Sequence, residues 1–293
     1  MPESVTLAEA LAAGQVGFED LDKLLLACSP HEAQLVAARA ACLAGPQPTA
    51  RLAACISGQQ ALIAASFSPA RCVALAEALA RAHAYVVPAL AAHAATLAAT
   101  WALPDSLRCL APAGLRQQWT EAAGRQQRAS AAGRASRPAL DSVRGRLLAE
   151  LLRQRVTIVA GSDAGAATPG LLYGTGLVTE LELLVAAGLT PAQALRAATV
   201  APAMITGHYS DLGRIEPGYR ADMVLLAANP LTDIRHLRQV ASVLQGGYLL
   251  DRGALAALVA QATQAARAGA LPPTAAVRKV ARRPPVPSPA ASK

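Results

Sequence analysis

The stretch "VTIVAGSDAG", Val156 to Gly165, places a single carboxylate, Asp163, just beyond a short apolar run. The run is typical of a buried strand. The residues before the run have a helical pattern, so we predict a helix that is capped by Asp141 and leads into the strand. In parallel α/β proteins the functional side chains follow the carboxyl ends of the strands. An aspartate in this position also caps turns and helices. Position alone leaves both interpretations of Asp163 open.

Strand and helix patterns alternate along the chain up to about residue 211. Short strands are predicted at "VGF" (16–18), "AYVVP" (84–88) and "VTIVA" (156–160), with helices between them. One helix is predicted to run to Leu43, with Ser29 as its cap, Pro30 in its first turn and Glu32 as its third residue. This alternation favours a parallel α/β sheet.

The pattern changes from about residue 212. A Pro217-Gly218 turn lies between two strand candidates, and two further candidates flank Gly246-Gly247, which is typical of antiparallel strands. A final helix is predicted near 253–267. The remainder is rich in Pro, Ala and Arg, a composition that predicts a disordered basic tail.

Composition limits the class of protein. A hydrophobic content of 53% over 293 residues is enough for a substantial core. The five cysteines have no CxxC spacing and lie in helical contexts, so we expect buried, reduced thiols. No apolar run reaches the roughly 18 residues of a membrane span, and the first residues do not have the pattern of a signal peptide. We therefore expect a soluble chain without a membrane partner.

The net charge of +8 raises the question of nucleic-acid binding. Arginines are concentrated between residues 108 and 155, and further basic residues lie near the C-terminus. Aromatic residues, on which bases would stack, make up only 3% of the chain, and no nucleic-acid-binding motif is present. We expect a solvated basic segment and tail, and no nucleic-acid partner.

Several consecutive motifs resemble one enzyme superfamily. "GSDAG" is followed by "LLYGTGLVTELELLVAAGLTPAQALRAATVAPAMITG" and then by "DLGRIEPGYRADMVLLAANPLTDI". Upstream, "VTLAEALAAGQVGFEDL" and "AYVVPAL" fit the same order of elements. Together these motifs resemble the C-terminal portion of the metal-dependent amidohydrolase superfamily, in its imidazolonepropionase and Xaa-Pro dipeptidase-like branch. The resemblance extends over residues 2–252.

The resemblance implies a fold and its division into domains. The family fold is a (β/α)8 TIM-like barrel with a small β-sandwich at its base. We expect residues 1–211 to form a partial barrel of about the last three βα units, residues 212–252 to form part of the sandwich, and residues 253–293 to form a helix and a tail. An arc of three strands has two unpaired edges and an uncovered apolar face, which predicts a sticky surface.

The resemblance also implies a chemistry. Family sites hold one or two divalent metal ions, expected here to be zinc, which lower the pKa of bound water so that it attacks a carbon-nitrogen bond. Asp163 matches the family's metal-binding aspartate, which takes the water proton and returns it to the leaving nitrogen. The expected substrate is a small amide or dipeptide-like molecule. Its identity lies in loops that the sequence does not specify.

Other positions depart from the family pattern. Asp20 stands where relatives have a metal-binding histidine, and it is predicted either to bind metal through oxygen or to cap the next helix. None of the five histidines has the spacing of a metal-binding pair, so we expect none to be a ligand. They are His31, His83, His93, His208 and His236.

The start of the chain suggests truncation. Met1 stands where relatives have a valine just after a metal-binding histidine, which leads to the hypothesis of a truncated or split gene product. We expect the isolated chain to bind no metal, and to associate with an N-terminal half or with a second copy. The alternative to hydrolysis is a catalytically inactive binding or assembly module.

Overall fold

The computed structural model describes residues 1–44, 47–97, 103–127 and 131–269. The described helices are α1 Leu7–Ala12, α2 Leu21–Ala27, α3 Glu32–Leu43, α4 Pro48–Ala65, α5 Pro69–Arg81, α6 Leu90–Leu97, α7 Asp105–Arg108, α8 Ala113–Gln127, α9 Ala131–Arg153, α10 Thr175–Ala186, α11 Pro191–Ala198, α12 Val200–Ile205 and α13 Arg252–Ala268. The strands are β1 Gly17–Glu19, β2 Tyr85–Val87, β3 Thr157–Ile158, β4 Met223–Leu226, β5 Val240–Gln245 and β6 Tyr248–Leu250.

The chain forms two compact units. The first contains Met1–Leu90, Gly124–Ser162 and Ala186–Gly188. The second contains Ala91–Ala123, Asp163–Val185 and the described chain from Leu189 onward.

The first unit is built on a parallel sheet with the strand order β1-β2-β3. Phe18 pairs with Val86, which pairs with Ile158, and all three side chains are buried. This sheet confirms the α/β prediction and all three predicted strands. That this sheet is part of a (β/α)8 barrel stays a prediction.

Leucine-rich helix faces form the core of the first unit. α9 packs against α2, α4 and α5 and contributes Leu147, Leu148 and Leu151, each at most 1% exposed. α2 contributes a buried leucine run from Leu24 to Leu26. Burying each such side chain stabilises the fold by about 2 kcal/mol, so the packing of these helices contributes strongly to the stability of the first unit.

Two of the helix starts that we predicted are wrong. α3 begins at Glu32, two residues later than predicted, although the Ser29 hydroxyl accepts the N–H of His31 as a cap would, and it also pairs with Ser66. α9 begins well before Asp141, whose carboxylate pairs with Arg144 one turn further along the helix. Pro138 lies inside this helix, so packing has overridden the tendency of proline to end one.

The second unit contains an antiparallel sheet with the order β4-β5-β6. Gly246 and Gly247, both with positive φ, make the two-residue turn between β5 and β6 as the sequence predicted. The strand predicted before Pro217 does not form in the described chain. α13 confirms the predicted last helix. The β-sandwich stays a prediction, and the predicted disordered tail lies outside the described residues.

A small apolar cluster in the second unit surrounds Trp119. The indole is fully buried beside Leu103, Ala111 and Leu172. The half-buried side chains Leu107, Leu110 and Leu115 pack against the same cluster. An indole of this size contributes a large part of the buried apolar surface of such a cluster. α8 is thereby fixed to the chain that follows β3.

The prediction that all cysteines are reduced is wrong. Cys28, at the end of α2, and Cys72, in α5, form a disulfide with their Cα atoms 4.7 Å apart. Both are at most 2% exposed, whereas Cys42, Cys55 and Cys109 are free and only half-buried. The sequence did not reveal the pair because its members are 44 residues apart and meet only through packing of α2 against α5.

Within the described ranges, no helix taken singly has the length and apolar character needed to cross a membrane. Two consecutive helices, Pro48–Ala65 and Pro69–Arg81, together have this length and apolar character, and the chain bends by 110° between them.

Candidate functional site

Each strand of the parallel sheet is followed by a residue other than glycine with a left-handed backbone. Asp20 follows β1 with φ 69°, Ala89 follows β2 with φ 50°, and Asp163 follows β3 with φ 46°. Side chains at such angles cost of order 1–3 kcal/mol and are concentrated at functional sites, so their positions suggest a function. Both aspartates that the sequence singled out are among them.

The backbone around Asp163 is held by two side chains. The buried Thr168 hydroxyl donates to the Asp163 carbonyl oxygen at 3.1 Å and accepts the Gly165 N–H at 2.8 Å. The Trp119 indole N–H donates to the Gly165 carbonyl oxygen at 2.8 Å. The Asp163 side chain itself is exposed. The structure therefore presents this carboxylate to solvent on a fixed turn.

Sequence reasoning missed both supporting residues. Thr168 lies five residues after Asp163, and the short polar turn "DAGAAT" is a weak signal for a hydroxyl that bonds the backbone. Trp119 is 46 residues from Gly165, and no local pattern indicates that contact.

Asp20 acts as the N-cap of α2. Its carboxylate accepts the Asp22 N–H at 3.2 Å, and its own N–H donates to the Val87 carbonyl oxygen at 2.9 Å, which extends the parallel pairing of β1 with β2. The side chain is exposed. Of the two interpretations that the sequence left open, the geometry favours the cap. The metal-binding role stays a prediction.

An ion-pair network lies next to Asp20. The buried Arg144 guanidinium of α9 donates to both carboxylate oxygens of Asp22, with the Nη2–Oδ2 distance 2.7 Å, and also to Asp141 at 2.7 Å. Burial lowers the pKa of Arg144, but the two carboxylates outweigh it and the pKa lies above its ordinary value. The network joins α2 to α9 just beyond β1.

A buried carboxylate fixes the chain after β2. Glu180 of α10 is fully buried, and its Oε2 accepts the Ala91 N–H at 2.7 Å. Its neighbours on the helix face, Leu181 and Leu184, are buried apolar residues. A glutamate among leucines was the signal in the sequence that could have indicated this contact, because a carboxylate is seldom buried without a specific hydrogen bond.

The described residues do not by themselves fit the metal centre of the family. Across the parts of the chain that the structure describes, no three side chains of His, Cys, Asp or Glu lie close enough to hold one ion. His208 contacts Asp211 at 3.2 Å, and His236 contacts the Asn229 carbonyl oxygen at 2.8 Å. A structural or catalytic zinc site needs three or four protein ligands, so Asp163 is not sufficient.

Comparison with known proteins identifies the family. The sequence model described as "Amidohydrolase family" matches residues 116–276, which is more than half of the chain. The matched segment contains β3 and the whole Asp163 turn. The chain belongs to the amidohydrolase family. This confirms the resemblance to the metal-dependent amidohydrolase superfamily.

Curated relatives match a part of this amidohydrolase. Imidazolonepropionase of Rubrobacter xylanophilus is 38% identical over 106 residues, which is 34% of this chain and 26% of that protein. Ochratoxinase of Aspergillus niger is 34% identical over 105 residues, which is 33% of this chain and 20% of that protein. The matched region thus spans about a fifth to a quarter of the length of these relatives.

A solved structure supports the fold. The bottromycin amidohydrolase structure superimposes with a TM-score of 0.58 and 21% sequence identity, covering 90% of this amidohydrolase and 56% of that chain. Identity at this level shows the fold alone. The similarity therefore agrees with the α/β architecture without specifying a substrate.

Proposed function

We propose that this amidohydrolase chain supplies the acid-base carboxylate, Asp163, of a hydrolase that cleaves the carbon-nitrogen bond of a small amide or dipeptide-like substrate. The observation that carries the proposal is the placement of Asp163 within the family match, on a fixed turn in the loop after β3 and with its side chain exposed. Membership in a family of hydrolases supports the reaction class. The same membership does not favour the inactive-module alternative.

The role of Asp163 follows from proton balance. Water attacks the carbonyl carbon, a carbon-oxygen bond forms, and the carbon-nitrogen bond breaks. The attacking water loses a proton and the leaving nitrogen gains one. A carboxylate held at one place transfers that proton, a contribution worth about 10²–10⁴ in rate. Thr168 and Trp119 hold the turn, so they act as positioning residues for Asp163.

The metal ligands of the proposed site come from another polypeptide segment. The described residues do not assemble a metal centre, and the chain spans only part of its relatives. We therefore propose that the divalent ion, zinc by the chemistry of the family, is held with imidazoles from an N-terminal portion of the protein. We also propose that residues 1–211 form an arc of the family's barrel and that residues 212–252 form part of its β-sandwich. For Asp20 we propose capping of α2 as its main role.

The test is catalysis by the chain produced together with the proposed N-terminal portion. A panel of dipeptides and N-acylated amino acids is assayed for release of the amine. Asp163→Asn is expected to lower kcat at least about 100-fold, because the proton transfer is lost. Circular dichroism checks that the fold is retained. Asp105→Asn, an exposed aspartate at the start of α7, is the matched control and is expected to keep full activity.

Two outcomes contradict the proposal. Full activity of the Asp163→Asn variant would remove this carboxylate from the reaction. Tight binding of panel compounds without turnover would instead favour the binding module.

A further inference from the structure

Two free thiols lie on the packed helices α3 and α4 of the first unit. Cys42 lies in the last turn of α3 and Cys55 lies in the first half of α4. Both are half-buried, and neither takes part in the Cys28–Cys72 disulfide. The proposed function gives them no role. Such a pair, unlike a single thiol, can be converted to a disulfide within the chain.

Hydrogen bonds fix the register of the two helices at this point. Gln59 of α4 accepts the Arg39 Nε–H at 2.8 Å and donates to the Leu35 carbonyl oxygen at 3.1 Å, so α3 and α4 are locked side by side. Gln59 and Cys55 are one turn apart on α4, as Arg39 and Cys42 are on α3. The Cys42–Cys55 pair is therefore the next pair along the interface.

The Cys55 thiol contacts both Gln59 and Cys42. The Gln59 amide donates to the Cys55 sulfur at 3.4 Å. Burial, and then contact with the Cys42 thiol, raises the pKa of Cys55, while the Arg39 charge opposes the rise more weakly. The register of the helices and this contact bring the two sulfurs together, as disulfide exchange within a chain requires.

We propose that Cys42 and Cys55 are a redox modification site, at which exchange with a low-molecular-weight disulfide such as glutathione disulfide forms a Cys42–Cys55 bond. One thiolate of the pair attacks one glutathione sulfur and releases one glutathione thiolate. The other thiolate then attacks the protein sulfur of this mixed disulfide and releases the second. The two protein thiols lose two electrons and two protons, and the disulfide is reduced to two glutathione thiols. The new bond joins α3 to α4.

The experiment uses the full chain after mild reduction and removal of the reductant. The chain is incubated with glutathione disulfide, and cysteine-containing peptides are identified by mass spectrometry without further reduction. We expect loss of two of the three free thiols and a linked Cys42–Cys55 peptide. Cys55→Ser is expected to trap glutathione on Cys42. The matched control, Cys109→Ser, is expected to form the linked peptide as the unaltered chain does.

Peptide mapping reports each cysteine pair separately, so opening of Cys28–Cys72 would not be mistaken for the result. Glutathione on both Cys42 and Cys55 without a link would overturn the proposal. So would free Cys42 and Cys55 under conditions that add glutathione to Cys109. These results do not depend on hydrolysis, so this proposal and the proposed function fail independently.

Discussion

Asp20 and Asp163 have similar positions in the sequence but different uses in the structure. Both follow a strand, and both have a positive φ. The Asp20 carboxylate accepts a backbone N–H of the helix that it begins. At Asp163 the backbone is bound by Thr168 and the carboxylate is exposed. The contrast makes Asp163 the stronger catalytic candidate of the two.

Substitution of Asp20 separates its two predicted roles. Asp20→Ala loses the cap, worth about 1 kcal/mol. Asp20→Asn keeps the cap, so its free energy of unfolding is expected to change by less than about 0.5 kcal/mol. Urea unfolding measures both values. Equal destabilisation by Ala and Asn would contradict the capping role.

At this scale the sequence revealed residues whose surroundings are local. Asp163 was visible because an apolar strand and glycines surround it, and Asp20 because it follows "VGF". Thr168 gave a weak signal. Trp119 and Glu180 support the chain after β3 and β2 through contacts with Gly165 and Ala91 that are distant in sequence, and such contacts follow from packing.

The short 3-10 turn Ile234–Arg238 is stabilised by charge at its start. Asp233 accepts the Arg235 N–H, and its carboxylate also binds the Arg235 guanidinium at 2.6–2.9 Å. The pKa of Asp233 is lowered to about 2, most strongly by the hydrogen bond from the Arg235 guanidinium and next by the bond from the Arg235 backbone N–H. The turn belongs to the "NPLTDI" motif of the family resemblance.

The pH dependence of this turn follows from the direction of that shift. A carboxylate whose pKa is depressed on folding stabilises the fold above its unfolded pKa of about 4, and the contribution is lost as the pH falls toward 2. An NMR titration of Asp233 is expected to give a midpoint of about 2. Arg235→Gln should move the midpoint up toward the ordinary aspartate value. An unchanged midpoint in that variant would contradict the assigned cause.

Strands were easier to predict than helix starts. The three parallel strands were found from short apolar runs, and β1, β2 and β3 form within or next to those runs. The starts of α3 and α9 were predicted from capping patterns, and both helices begin elsewhere. At α9 the long helix continues through Pro138, and Asp141 pairs with Arg144.

The Cys28–Cys72 disulfide is expected to contribute strongly to stability. It closes a loop over a sequence separation of 44, for which chain entropy gives about 4 kcal/mol. Replacing both cysteines by serine should lower the free energy of unfolding by about that amount in a urea titration. Cys109→Ser, a half-buried free thiol, is the control and should change it by less than about 1 kcal/mol. Equal effects would show that the disulfide does not constrain the unfolded chain.

At the scale of the whole molecule, the sequence predicted the family and the parallel sheet, and it did not predict the disulfide. Family motifs are read along the chain, so the order of "GSDAG" and the motifs after it was sufficient. A disulfide depends on two helices meeting in space. A metal centre likewise depends on ligands from several strand ends, and the described residues bring no such set together.

The central claim is that Asp163 belongs to a metal-dependent site whose other ligands lie on a different segment. Metal content per chain, measured by mass spectrometry of the purified protein, tests it most directly. The chain alone is expected to contain far less than one zinc per molecule, and co-purification with the proposed N-terminal portion should raise this to at least one. Asp163→Asn should lower the metal content of the complex. Stoichiometric zinc on the isolated chain, unchanged by Asp163→Asn, would contradict the account.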